Sequence, residues 1–220
     1  MNNHPTAIII FGRYPHPGKV KTRLASSIGD DTAAEFYRLC AEHTFRQLTP
    51  FLSHSSIFFY CADSEDFSLT HEWVTPYRFT TEIQSGSTLG ERMRSAFDSA
   101  FQTGAKQVII IGTDAPDISS EVLQTSVAAL ENADIVIGPA LDGGYYLLGM
   151  KQPNKDLFGD IPWSTDTVFQ ATIEKAQSHH LTTQLLPVLT DIDTLEDLLA
   201  WRNTSSAESN IELFHFAKKF

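Results

Sequence analysis

Apolar and polar residues follow one another along this 220-residue chain in two rhythms, and the switches between them mark out strands and helices. Residues 7–11 (AIIIF) are continuously apolar and rich in β-branched side chains, the pattern of a strand buried on both faces. From 31 to about 49, Phe36, Leu39, Cys40 and Leu48 share one helical face, with Asp30 or Asp31 placed as the cap. A strand is predicted over 57–61, a short helical stretch over 66–73 and another strand over 77–82. Residues 89–102 read as a helix closed by Gly104, and 108–111 as a second strand of the buried kind. Ser119 or Ser120 caps a helix over 119–131, and short strands follow at 135–137 and 145–150 (YYLLGM). Helices over 166–177 and 195–201 come next. The polar stretch 203–210 is expected to be mobile, leaving 211–216 as a terminal piece able to pack back on the domain. This alternation implies crossover connections and therefore a single-domain α/β fold, a mainly parallel sheet sandwiched by helices. No repeat or interdomain linker interrupts it, so 1–220 reads as one domain.

Composition narrows the setting. Hydrophobic residues make up 42% and charged residues 20%, values of an ordinary globular chain. The apolar run at 7–11 is too short to span a bilayer or to act as a secretory signal, so a cytoplasmic protein with no membrane span is expected. Cys40 and Cys61 fall on a predicted helix and strand, positions of buried, reduced thiols. The net charge of −11 argues against nucleic acid as a partner, because the mean field repels polyanions. Its distribution is uneven: no Asp or Glu precedes Asp30, whereas Arg13, Lys19, Lys21 and Arg23 all do.

That basic stretch directly follows the first strand, where ligands of parallel α/β sheets bind. In residues 12–24 (GRYPHPGKVKTRL), Gly12 and Gly18 allow close backbone approach, the prolines stiffen the loop, and the cations supply donors for phosphate oxygens. It is not a P-loop: the glycine spacing is one residue too long, and Val20 stands where Ser or Thr would bind magnesium. The chain has no GxGxxG, HExxH or GxSxG pattern, which removes dinucleotide, zinc-hydrolase and serine-hydrolase readings.

Asp114 stands three residues beyond Ile111, at the same carboxyl edge, where it is placed either to hold magnesium against phosphate or to shape a turn. Asp117 suits a cap. In the cluster 191–198 (DIDTLEDL), Asp193 or Thr194 can cap the last helix with Glu196 and Asp197 in its first turn, and Asp193 can also reach a metal. Asp142-Gly143-Gly144-Tyr145 offers either a hairpin turn or a place where a ligand presses on backbone.

Four blocks, FGRYPHPGKVKTRLA (11–25), QSGSTLGERM (84–93), GTDAPDIS (112–119) and DGGYYLLG (142–149), resemble a bacterial family of nucleotide-diphospho-sugar-transferase-like proteins with the glycosyltransferase-A fold. That family is similar to the guanylyltransferases that activate phospholactate and the molybdenum cofactor. A fifth block, 191–198, resembles the DTPEDL segment of sugar-activating nucleotidyltransferases, with Leu195 in place of the proline. The resemblance implies that Gly12, Arg13, Gly18, Lys19, Lys21 and Arg23 wrap the donor phosphates, while Gln84, Gly86 and Leu89 lie near the base. It implies Mg²⁺ (or Mn²⁺) on Asp114 and Asp193, with Lys21 and Asp114 catalytic. Asp142, Gly143, Gly144 and Tyr145 would face the second substrate. Trp163 fits the pattern too, although a packing role suffices for it.

The expected function is Mg²⁺-assisted transfer from a nucleotide donor to a small-molecule acceptor. The donor would be a nucleoside triphosphate giving up its nucleotide or a nucleotide sugar giving up its sugar. The alternative is a nonenzymatic nucleotide sensor, which would keep the basic loop without needing the carboxylates. The sequence leaves the base, the acceptor and the oligomeric state open.

Overall fold

The structure, a computed structural model, describes residues 4–204 and 210–220. Its strands are β1 (Thr6–Gly12), β2 (Ser55–Cys61), β3 (Thr80–Ile83), β4 (Gln107–Ile111), β5 (Ile135–Pro139), β6 (Tyr145–Met150) and β7 (Thr183–Leu185). The helices are α1 (Thr22–Ile28), α2 (Asp30–Leu48), α3 (Phe67–Val74), α4 (Leu89–Gln102), α5 (Ser120–Ala129), α6 (Val168–Ser178), α7 (Leu195–Arg202) and α8 (Ile211–Ala217). One sheet runs in the order β3-β2-β1-β4-β6-β5-β7. β1 lies parallel to both β2 and β4, whereas β6 is antiparallel to β4 and β5. The mainly parallel α/β sandwich expected from the hydrophobic rhythm is therefore present, with one reversed strand.

Period-two alternation divides the core. Ile8 and Ile10 face α2, where Phe45 and Leu48 are buried against them, while Ala7 and Ile9 face α4 with its Met93 and Phe97. Both faces of β1 are covered, which is why its sequence is uninterrupted apolar. A third, smaller cluster joins Leu24 and Ala25 of α1 to Phe36 and Cys40 of α2, Ile192, Trp201 of α7 and Phe216 of α8. It ties the chain's C-terminal segment to the loop after β1.

The differences from the sequence reading have physical causes. α2 is capped by Gly29, and Asp30 and Asp31 occupy its first turn, where carboxylates suit the helix dipole without a capping bond. α1 was not expected, because its seven residues carry only two buried side chains, too few to show a helical period. β7 is three residues long at the edge of the sheet, with little apolar signal. β3 begins later than expected, since Thr75–Tyr77 forms a 3₁₀ turn and Arg78 takes a left-handed conformation. Residues 140–144 form the tight connection between antiparallel β5 and β6, with Gly143 N–H donating to the Ala140 carbonyl, so the hairpin reading of that segment holds. Of the stretch expected to be mobile, 205–209 lie outside the described residues. Residues 211–216 do pack back, within α8. Both cysteines are buried and free.

Candidate functional site

β1, β4 and the segment before α7 all end at one edge of the sheet, and the loops beyond them enclose a cavity of about 540 Å³. Its floor is set by Tyr37 on α2. The phenol oxygen accepts the Arg13 backbone N–H at 2.9 Å and the Thr113 hydroxyl at 3.0 Å, pinning the loops after β1 and β4 to one point. Burial, reinforced by the nearby Asp114 charge, pushes the Tyr37 hydroxyl up to about 12, so it stays protonated.

Lys21 is the centre of the site. Its Nζ lies 2.9 Å from Asp114 Oδ1 and 2.9 Å from Asp193 Oδ1, so these two oxygens are at most 5.8 Å apart although the residues are far apart in sequence. The Lys21 side chain is only 4% exposed, against 47% for Asp114 and 42% for Asp193. Burial works against its charge, but the two carboxylates outweigh that and hold its pKa above the ordinary lysine value. The backbone there is left-handed, with φ 47°, an uncommon conformation for a residue with a side chain. The anchors lie on either side: Val20 and Leu24 are buried, so the chain turns sharply between them and drives the ammonium inward.

Asp193 reaches this point because Ile192 is fully buried and its N–H donates to the Asp114 carbonyl at 3.2 Å. In an extended segment, residues flanking a buried one point the other way, so Asp191 and Asp193 both face the cleft. Thr194, not Asp193, caps α7, in a capping box with Asp197. Asp193 is thereby free to meet Lys21 and, at 3.5 Å, Arg23.

The rest of the basic loop binds elsewhere. Arg13 approaches Asp63 at 4.0 Å, His16 Nε2 lies 2.9 Å from Asp66 Oδ1, and Lys19 Nζ lies 3.3 Å from Glu65. These contacts tie residues 13–19 to the loop after β2, while Arg13 and Lys19 still line the cavity. Gly12, Gln84 and Leu89 line it too, and the Gln84 side chain donates to the Tyr60 carbonyl at 3.0 Å. Gly18 and Gly86 do not line it: both sit at positive φ in turns, where they shape the backbone behind the wall.

A second cavity of about 440 Å³ opens off the first, sharing Arg23, Leu89 and Asp193 with it. Asp142, Gly144 and Tyr145 line it together with Trp163. Gly143 lies behind the wall. Its φ is 87° and a Cβ there would stand 1.9 Å from the Asp166 carbonyl oxygen, so the hairpin and the 163–167 loop touch backbone to backbone. Trp163 sits against α4 at Gly90, where a Cβ would come within 2.4 Å of the indole, and this contact fixes the ring as part of the wall.

Two residues absent from the sequence-based set belong here. Arg92, at the start of α4, lines the first cavity and donates from Nε to the Gly86 carbonyl; it stands within the block 84–93 that carried the resemblance. Asp191 lines the second cavity. Its carboxyl is raised to about 7, first by burial and then by Asp114. Its signal was the alternation Asp191-Ile192-Asp193 around one apolar residue.

The carboxylates suit a hard divalent cation. Asp114, Asp142 and Asp193 all act on Asp191, and Lys21 and Arg23 are the cations that meet this group, which leaves an excess of acidic side chains. No group of three or more metal-ligating side chains occurs among the described residues. Asp114 and Asp193 are the two carboxylates that could take part in holding such an ion, and the remaining ligands would have to come from phosphate and water.

The chain matches the family model described as "Uncharacterized protein conserved in bacteria (DUF2064)" over residues 47–165. The matched segment contains Asp114 and the hairpin but neither the basic loop nor Asp193. No curated protein matches the chain. Among solved structures, a protein of Desulfovibrio desulfuricans G20, provisionally named a nucleotide-diphospho-sugar transferase, is 33% identical with a TM-score of 0.85, and 98% of each chain is covered. A cytidylyltransferase from Leptospira borgpetersenii is 16% identical with a TM-score of 0.57, covering 98% of this chain and 94% of that one. An inositol-1-phosphate CTP transferase from T. maritima is 13% identical with a TM-score of 0.56, covering 99% and 97%. The last two show a shared fold, the glycosyltransferase-A-like arrangement expected from the sequence blocks. No helix among the described residues is long and apolar enough to cross a membrane.

Proposed function

The chain belongs to the bacterial DUF2064 family, and from that premise we propose that it is a Mg²⁺-dependent transferase that takes a nucleotide donor. The observation that carries this reading is the buried Lys21 ammonium held between Asp114 and Asp193 at the mouth of a cavity lined by further cations. Cations there neutralise the phosphate oxygens of a donor and of its leaving group, and such a transfer needs no covalent nucleophile from the protein. Asp114 and Asp193 would hold the metal, which when bound supplies charge to the departing phosphate. Lys21 and Arg23 would bind phosphate oxygens, and Gln84 and Leu89 would bound the base. Lys21 also orients the two carboxylates.

Glycosyl transfer from a nucleotide sugar is the version favoured by the name given to the 33% identical relative. Nucleotidyl transfer from a nucleoside triphosphate is the second reading, favoured by the number of cations in the first cavity: Arg13, Lys19, Lys21, Arg23 and Arg92. Thermal unfolding in the presence of nucleoside triphosphates and nucleotide sugars, with and without Mg²⁺, tests the proposal. A donor at a hundredfold its dissociation constant adds about 2.7 kcal/mol of stability. The product then separates the versions, since nucleotidyl transfer releases pyrophosphate and glycosyl transfer a nucleotide. Absence of a Mg²⁺-dependent shift across both panels would overturn the reading.

A further inference from the structure

Resting on the transferase reading, we infer that the second cavity takes an acceptor without a phosphate group, a neutral or cationic molecule that reacts through a hydroxyl or an amine. The basis is a charge contrast across one continuous opening. On the donor side, five cationic side chains face Asp114 and Asp193. Across the shared residues Arg23, Leu89 and Asp193, the lining acids are Asp142, Asp166, Asp191 and Asp193, and among the described residues Arg23 is the one cation in that lining, with Lys21 meeting Asp193 from the donor side. Arg23 lies 3.5 Å from Asp193 Oδ2 at the boundary between the two cavities.

A phosphorylated acceptor would bring negative charge against these carboxylates. Hydroxyls and ammonium groups do the reverse, donating to carboxylates that need donors. The Trp163 indole, fixed against Gly90, provides an aromatic wall suited to the C–H face of a sugar ring or to a cation. In the transfer, the acceptor oxygen or nitrogen forms the new bond to the transferred carbon or phosphorus. The bond from that atom to the leaving phosphate oxygen breaks, its electrons going to the leaving group on the cationic side. The acceptor proton passes to a lining carboxylate or to solvent.

The charge of the lobe is measurable without knowing the acceptor. Cys40 and Cys61 are buried, and burial pushes the Cys40 thiol up, so a thiol introduced by Thr165→Cys on the cavity wall is the accessible one. In Mg²⁺-containing buffer, its labelling rates with trimethylammonium-ethyl and sulfonato-ethyl methanethiosulfonate are compared with the rates of a free thiol. The expected result is a preference for the cationic reagent at least tenfold above the free-thiol ratio, reduced by adding Asp166→Asn. An equal or anion-favouring ratio overturns the inference. Transfer by the wild type to glucose, glucosamine and glucose 6-phosphate gives a second reading, in which faster use of the phosphorylated sugar also overturns it. Donor binding is followed separately by thermal shift. Loss of donor binding sinks the transferase reading, whereas donor binding with a preference for anions at the lobe sinks only the acceptor class.

Discussion

The loop after β1 is basic throughout, yet its two halves are held by different physics. Residues 13–19 are fastened to the loop after β2 by the cations Arg13 and Lys19, each nearly half exposed, and by His16 on the buried Asp66. Residues 20–24 are fastened by burial, with Val20 and Leu24 in the interior and the Lys21 ammonium sealed between two carboxylates. Exposed pairs are worth little and are screened by salt, whereas a buried charge becomes a liability as soon as its partner goes. The first half should therefore tolerate change and adapt to a ligand, while the second sets the geometry of the site.

The largest effect should come from Lys21. Lys21→Ala is expected to weaken nucleotide binding by about 1.5–3 kcal/mol, the range for hydrogen bonds to charged groups. Breaking a buried ion pair costs ~3–5 kcal/mol, but the abandoned carboxylates here are nearly half exposed and can rehydrate, so about 1–3 kcal/mol of stability should be lost. Lys21→Gly sharpens the test: with φ at 47°, glycine should be more stable than alanine by about 1 kcal/mol, because it adopts this backbone without strain. Urea unfolding of both variants checks this. If alanine is as stable as glycine, the left-handed turn is not what drives the ammonium inward.

Next comes Asp114→Asn. The substitution should abolish the Mg²⁺-dependent part of nucleotide affinity and leave the metal-free part nearly intact, as titration calorimetry with Mg²⁺ and with EDTA would show. Retention of the full Mg²⁺ effect together with a loss of rate would move Asp114 from metal ligand to base. The double variant Arg13→Ala, Lys19→Ala ranks third. Its stability should change less than that of either Lys21 variant above, and the change should shrink further in ~1 M salt.

The contrast between the halves also explains what the sequence could disclose. Buried strands such as 7–11 and 108–111 announce themselves by composition, and the capped helices by period. Which end of the sheet binds follows from strand direction, so Lys21, Arg23 and Asp114 fall at one edge from the sequence pattern, while Asp193 joins them through the resemblance of 191–198. Partners could not be assigned within the loop. Nothing local says that Lys19 reaches toward Glu65 while Lys21 turns to Asp193, because that choice is made by α1 and by the cluster of Leu24, Ile192 and Trp201, which brings segments from opposite ends of the chain together. Glycines were ambiguous for a similar reason. Gly143 and Gly18 look like ligand contacts in sequence, yet their positive φ values serve the turn itself.

The smallest expected effect probes the support beneath the carboxylate half. His43 on α2 is hydrogen-bonded to the Ile118 backbone, in the segment that leads from Asp114 to α5, with Arg46, Asp117 and Glu212 as its charged neighbours. Burial, aided by Arg46, lowers its pKa below the ordinary histidine value, so the folded protein holds it neutral where an unfolded chain would already bind a proton. The unfolded state binds more protons in that window, and stability must therefore fall as pH drops below about 6.5, the value for an unperturbed histidine. Above that pH the contribution is fully present. His43→Gln should flatten this part of the stability profile while leaving the ion pairs of residues 13–19 untouched. Thermal unfolding from pH 8 to 5 in both proteins measures it. An unchanged acid slope in the variant would mean that the carboxylate half does not depend on His43, and that other groups account for its response to acid.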